Sequence, residues 1–246
     1  LEEKKAAEAR LARQQEALTQ SNQELERFAY AVSHDLQEPL RMVTSYIGLL
    51  ERRLGDRLDD DTRDFMAFAT DAARRMAAMI HDLLDYSRVQ TRGAPFSPVP
   101  LAEAVGEAQS NLTLAIEEAG AQVRLPEDLP TVQGDPGQLA RLFQNLIGNA
   151  VKYRHPDRPC GIDLTVAEEN GRVVVTIADN GIGVDPDHAE SAFGVFQRLQ
   201  PRSDQSGTGV GLALCRRIVE RHGGRITLGG TPDQGAIVCL DLPAAG

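Results

Sequence analysis

From Leu1 to about Arg92 helix formers dominate the chain, and the pattern carries an apolar stripe too wide for a lone helical hairpin to bury. Leu36, Leu40, Val43, Ile47, Leu50 and Leu54 recur at helical spacing. Gly55-Asp56 through Asp59-Asp60-Asp61 reads as a turn followed by an acidic helix start. Phe65, Phe68, Ala69, Ala72, Met76, Met79, Ile80 and Leu83 then mark a second amphipathic helix ending near Arg92-Gly93. Two such helices need a partner surface, and a dimer forming a four-helix bundle supplies it.

Upstream, Leu11, Leu18, Leu25 and Val32 fall seven apart, a heptad d register whose partner row, three residues on, is Gln14, Ser21 and Phe28. Two polar residues in that row predict a coiled coil of modest stability, suited to a signal-transmitting linker. In that register His34 takes position f and should face water. Pro39 removes one amide donor and is expected to bend the helix just after the histidine.

Gly93 to Pro100, with three prolines, reads as a linker, and the pattern changes after it. Leu101 to Gly120 is expected to be helical and Gln122 to Leu125 a short strand. A long helix should run from Pro136 to Tyr153 with Asp135 as its N-cap. Ile162–Val166 and Val173–Ile177 read as strands of a hairpin around Asn170-Gly171. A helix over Leu212–His222 stops at Gly223-Gly224, and Arg225–Leu228 with Ala236–Leu242 form a last strand pair. The expected fold class is α+β: a helical hairpin dimerising as a four-helix bundle with a coiled-coil extension, then an α/β sandwich with helices on one face of a mixed sheet. The expected divisions are 1–27, 28–93 and 97–246.

Composition narrows the function classes. The net charge of -10, with dispersed basic residues, argues against a nucleic-acid binder. Cys160, Cys215 and Cys239 have no metal-ligand spacing and read as reduced thiols. No stretch approaches the ~18 apolar residues of a membrane span, and no signal peptide is present, so a soluble, cytoplasmic piece without direct membrane insertion is expected. The chain begins at Leu1 inside a charged helical pattern, which implies a fragment of a longer protein.

Four short segments carry chemistry. In Ser33-His34-Asp35-Leu36-Gln37-Glu38-Pro39-Leu40, a neutral His34 ring nitrogen can attack a phosphorus atom while Asp35 accepts the proton of the other nitrogen. In Asn145-Leu146-Ile147-Gly148-Asn149-Ala150-Val151-Lys152-Tyr153, Asn145, Asn149 and Lys152 share one helix face. The Asn149 amide oxygen is a hard ligand suited to Mg²⁺, and Lys152 can reach phosphate oxygens. In Asp179-Asn180-Gly181-Ile182-Gly183, a carboxylate at a strand end can accept the amino proton of adenine, while Gly181 and Gly183 let the backbone approach the base. In Gly207-Thr208-Gly209-Val210-Gly211-Leu212, amides and a helix N-terminus form an anion site. A Rossmann site is excluded there, because Pro201–Ser206 reads as a loop where the preceding strand should be.

In this order the segments resemble the sensor histidine kinases of two-component signalling, over about Ala9 to Leu242. The resemblance implies an ATP-dependent protein-histidine kinase with His34 as phosphoacceptor and Asp35 as its acidic neighbour. It implies a homodimer that passes the phosphoryl group to a response-regulator receiver domain and takes its input from an upstream sensory domain. It assigns the Mg²⁺ ligand to Asn149, support of that ligand to Asn145, phosphate neutralisation to Lys152 and a place along the nucleotide to Tyr153. Adenine recognition falls to Asp179, and the phosphate cover to Gly207, Thr208, Gly209, Gly211 and Leu212. Phe193-Gly194-Val195-Phe196-Gln197-Arg198 matches the family's phenylalanine box, with Arg198 directed to the γ-phosphate. Many relatives have Thr or Asn four residues after the histidine, where it aligns water; this chain has Glu38, and its H-box is more similar to phytochrome-type kinases. The competing readings are another ATPase of the gyrase and chaperone superfamily, or a dimeric scaffold that binds ATP without catalysis.

Overall fold

The computed structural model describes residues 33, 35–91, 93–197 and 207–245. The coiled-coil register, His34 and Arg198 lie outside the described residues. Two compact units divide the chain, Leu1–Thr91 and Arg92–Gly246.

In the first unit, helix α1 is described over residues 35–54 and continues through Pro39. A 3₁₀ turn at Gly55–Arg57 follows, with Gly55 at φ +49°. Helix α2 spans Asp60–Thr91. Its start is set by Asp59, whose Oδ1 accepts the Thr62 amide at 2.8 Å, with Asp60 and Asp61 in the first turn. Both helices expose large apolar side chains: Val43 and Leu50 on α1, and Phe65 and Phe68, at 69% and 70% exposure, on α2. One chain alone therefore leaves much of its helical stripe in water.

The second unit is an α/β sandwich. Its main sheet has the order β2-β4-β5-β7-β6, from Gln122–Arg124 (β2), Gly161–Glu169 (β4), Arg172–Asp179 (β5), Arg225–Thr231 (β6) and Gly235–Pro243 (β7). The β2–β4 pair is parallel and the others antiparallel. Asn170 at φ +51° and Gly171 at φ +73° make the β4–β5 turn, as the Asn-Gly pair predicts. Alternation buries Ile162 and Leu164 of β4, Val173, Val175 and Ile177 of β5, and Leu240 and Leu242 of β7.

Helices α3 (Leu101–Asn111), α5 (Pro136–Lys152) and α7 (Gly211–Arg221) supply the rest of the core through Leu101, Leu139, Leu142, Phe143, Ile147, Leu214 and Ile218. Each such side chain contributes about 1.5–3 kcal/mol on burial. Asp135 caps α5 as expected, its Oδ1 accepting the Gln138 amide at 3.2 Å.

Two expectations are corrected. The supposed linker contains strand β1 (Ser97–Pro100), paired antiparallel with β3 (Thr131–Gly134), a strand the sequence pattern did not reveal. Prolines are tolerated there because a two-stranded ladder has open edges. The helix expected over Leu101–Gly120 is two: α3, then α4 (Thr113–Ala119). The break falls at Leu112, with ψ near 7°, where its amide is shared between the Ala108 and Gln109 carbonyls and the Thr113 hydroxyl donates to the Ser110 carbonyl.

The segment before β1 is tied to the sandwich by a buried cluster. Asp135 Oδ2 accepts the Ala94 amide at 2.6 Å and pairs with Arg221 Nη1 at 3.1 Å; Arg221 also donates to the Ala94 carbonyl. His222 Nε2 accepts the Asp135 amide at 3.0 Å, and its ring stacks on Phe96 with centroids 4.5 Å apart.

Candidate functional site

The site collects at one end of the sandwich, where α5 ends, β5 ends and α7 begins. A buried apolar face of α5 holds the helix on the sheet, so Asn145, Asn149 and Lys152, at spacings of four and three, lie together along its half-buried flank. The Asn145 carboxamide Nδ2 donates to the Arg141 carbonyl at 2.9 Å. No partner is drawn to the Asn149 carboxamide among the described residues. Lys152 Nζ donates to the Tyr153 hydroxyl at 2.9 Å and sits 4.5 Å from that ring's centroid.

Asp179 is the last residue of β5. Its Oδ1 accepts the Gly181 amide at 2.8 Å and the Ala236 amide at 3.2 Å, leaving the other oxygen for an incoming donor. Burial pushes the carboxyl above its ordinary range, against the two amides that favour the charged form. An external N–H donor is what such a desolvated carboxylate lacks.

The glycines are demanded by close backbone approach. A β-carbon at Gly181 would overlap the Tyr153 carbonyl oxygen, and one at Gly183, at φ +75°, would overlap the Thr231 carbonyl oxygen. A β-carbon at Gly209, at φ +74°, would stand 3.0 Å from the Gln197 carbonyl oxygen. Thr208 Oγ1 accepts the Val210 amide at 3.4 Å. Val210, the N-cap of α7, offers no side-chain cap to the helix, which begins at Gly211; Leu212 is half-buried in its first turn.

The three segments touch. The Ile182 amide donates to the Tyr153 carbonyl at 3.0 Å, joining the Asp179 loop to the end of α5. A β-carbon at Gly207 would overlap Lys152 Nζ, and one at Gly211 would stand 2.8 Å from Asn145 Oδ1. Asp179, Tyr153, Lys152, Gly207, Asn145 and Gly211 thus line a continuous path: a hydrogen-bond acceptor at one end, a cation in the middle, a helix N-terminus at the other. That order suits a base followed by a string of phosphates.

At the root of the 198–206 segment, the Arg216 guanidinium lies 4.0 Å from the Phe193 ring centroid and pairs with Glu190 at 2.8 Å. The pair anchors the phenylalanine segment on α7. In the first unit, Asp35 and Glu38 are exposed on α1, and Ser33 is buried. Sequence reasoning did not single out the Ala236 amide or His222. Their roles come from contacts between segments distant in the chain, which no local motif encodes.

Two family models match the chain. Residues 24–92 match the His Kinase A (phospho-acceptor) domain, and residues 134–246 match the histidine kinase-, DNA gyrase B-, and HSP90-like ATPase domain. The chain is 41% identical over 229 residues to cyanobacterial phytochrome A of Nostoc sp., and 40% identical over 226 residues to the phytochrome-like protein Cph1 of Synechocystis sp.. Those matches cover 93% and 92% of this chain, which spans 30% of the length of each relative. Among solved structures, full-length ShkA in complex with AMPPNP matches with a TM-score of 0.66 at 27% identity, over 89% of this chain and 46% of that one.

Proposed function

Because this chain belongs to the sensor histidine kinases, we propose that it moves the γ-phosphoryl group of ATP to its own His34 and then to an aspartate of a response-regulator receiver domain. A neutral His34 ring nitrogen attacks the γ-phosphorus; the nitrogen–phosphorus bond forms as the bond to the β-phosphate oxygen breaks and ADP leaves. Asp35 takes up the proton of the other ring nitrogen. In the second step the receiver carboxylate displaces the imidazole from phosphorus.

The observation that carries the reading is the continuous path from Asp179 through Tyr153 and Lys152 to Gly207 and Gly211, downstream of a phospho-acceptor domain. Asp179 accepts the adenine amine, Lys152 and the first-turn amides of α7 hold phosphate oxygens, and Arg198 reaches the γ-phosphate. The half-buried Asn149 carboxamide, which has no partner among the described residues, fits a hard divalent cation. Among the described residues no group of three or more His, Cys, Asp or Glu offers a metal cage, so a bound Mg²⁺ would be held by Asn149 together with phosphate oxygens. When bound, that ion supplies charge neutralisation at the phosphates.

The exposed Val43, Leu50, Phe65 and Phe68 support a homodimer through a four-helix bundle. The proposed divisions are a signalling coiled coil over 1–27, a dimerisation and phosphotransfer domain over 28–93 and an ATP-binding domain over 97–246, with a sensory domain upstream. No described helix is long and apolar enough to cross a membrane; we place the protein in the cytoplasm, where ATP and receiver domains are.

The test is labelling with γ-labelled ATP. His34→Gln should lose all label yet bind ATP like the parent, since the acceptor belongs to a different unit of the chain from the nucleotide-binding residues. Persistent label on that variant would refute the assignment.

A further inference from the structure

We infer that Arg158 is a positioning residue for base recognition, clamping the Asp179–Gly183 loop to the β6–β7 turn. This rests on the adenine-nucleotide reading of the site given above. Arg158 stands in the loop between α5 and β4. Its Nη2 donates to the Gly181 carbonyl at 2.9 Å and, by a short contact, to the Asp233 carbonyl. Its Nε is buried with no partner among the described residues. A guanidinium engaged with two backbone carbonyls of different segments acts as a brace; a charge pair would need a carboxylate.

What the brace fixes is specific. The peptide joining Gly181 to Ile182 is held at both ends, its carbonyl by Arg158 and its amide by the Tyr153 carbonyl at 3.0 Å. The preceding peptide carries the Gly181 amide, which donates to Asp179 Oδ1. Across the other contact, Asp233 sits at φ +62° and donates its amide to the Ile182 carbonyl at 2.7 Å. The same turn leads to Ala236, whose amide is the second donor to Asp179 Oδ1. Arg158 thus joins the two segments that orient the Asp179 carboxylate, and does so from outside the phosphate half of the site. Rotation of either peptide would turn the free carboxylate oxygen away from a base.

The experiment uses the whole chain with Arg158→Met, which keeps the stem and removes the donors, and Arg158→Lys, which keeps the charge on a compact ammonium. ATP and GTP affinities are measured by calorimetry, with inorganic tripolyphosphate as a competitor that probes the phosphate half alone. The clamp predicts that Arg158→Met raises the ATP dissociation constant roughly tenfold, the scale of one lost charged hydrogen bond. It also narrows the preference for ATP over GTP and leaves tripolyphosphate competition unchanged. Arg158→Lys should fall between Arg158→Met and the parent. Should the methionine variant fail to fold, the lysine variant decides: parent-like affinity and base preference would show that charge alone suffices, and overturn the clamp. A parent-like Arg158→Met, or an equal loss for tripolyphosphate, would overturn it too. A parent chain that binds no ATP would overturn the functional reading beneath it.

Discussion

Asp179→Asn should convert the base-reading corner from acceptor to mixed donor and acceptor, with three linked consequences. In the parent, Oδ1 is engaged by the Gly181 and Ala236 amides at 2.8 and 3.2 Å, which leaves the remaining oxygen for the base in the proposed site. Asparagine keeps Oδ1 on those amides and turns Nδ2 toward the adenine amine, donor against donor. Loss of one charged hydrogen bond, about 1.5–3 kcal/mol, raises the ATP dissociation constant about 10- to 150-fold. Guanine carries a carbonyl where adenine carries the amine, so Nδ2 finds a partner there and the preference for ATP over GTP narrows further than the ATP loss alone dictates. The third consequence concerns stability. Burial raises the folded-state pKa of Asp179, so its stabilising contribution is present below the unfolded carboxyl value and is lost as pH rises through the folded one. Nucleotide-free Asp179→Asn should therefore melt above the parent at neutral pH, and the gap should close in acid. Calorimetric titration with both nucleotides and thermal melts across pH read all three. Parent-like ATP affinity with unchanged base preference would refute the account of this corner.

Other expectations are more local. Asn149→Ala should bind ATP like the parent in a chelator yet lose the gain that added Mg²⁺ gives, as calorimetry in both buffers would show. His222 Nε2 accepts the Asp135 amide while Nδ1 faces the Ile218 carbonyl at 2.7 Å, an arrangement that requires the neutral ring. Burial, with the neighbouring Arg221, depresses its folded pKa against the pull of the Ile218 carbonyl and Asp135, so stability present above the unfolded value near 6.5 should fall as pH drops. His222→Gln should flatten the melting curve's dependence on pH between about 7 and 5, the range of histidine titration; an unchanged slope would place the acid sensitivity elsewhere. Inserting one residue between Leu18 and Leu25 should rotate His34 by ~100° against the upstream seam and change the kinase output of a sensor-bearing protein, while inserting seven should restore it.

Much of the architecture was legible in local pattern. The Asp135 cap, the Asn170-Gly171 turn and the α5 and α7 stripes are each written in a few consecutive residues. So were the glycines, because a backbone carbonyl against Gly181 or Gly183 forbids any side chain. The β1–β3 pair was not legible: two prolines in four residues argue against a strand, and its partner lies more than thirty positions away. Nor was the break at Leu112, where one threonine hydroxyl competes for a helix carbonyl within a pattern otherwise continuous. The same limit hid Arg158 and the Asp135–Arg221–His222 cluster, whose meaning comes from groups brought together by the sheet.

The central claim is chemical: phosphorus from ATP ends on the nitrogen of His34. The direct measurement is to incubate the chain with γ-labelled ATP and Mg²⁺, test the label's survival in acid and in base, and map it by mass spectrometry at alkaline pH. The account predicts one phosphoryl group, lost in acid, stable in base and located on the peptide that contains His34. Label that survives acid on a serine or threonine, or ATP binding with no label on the protein, would contradict it.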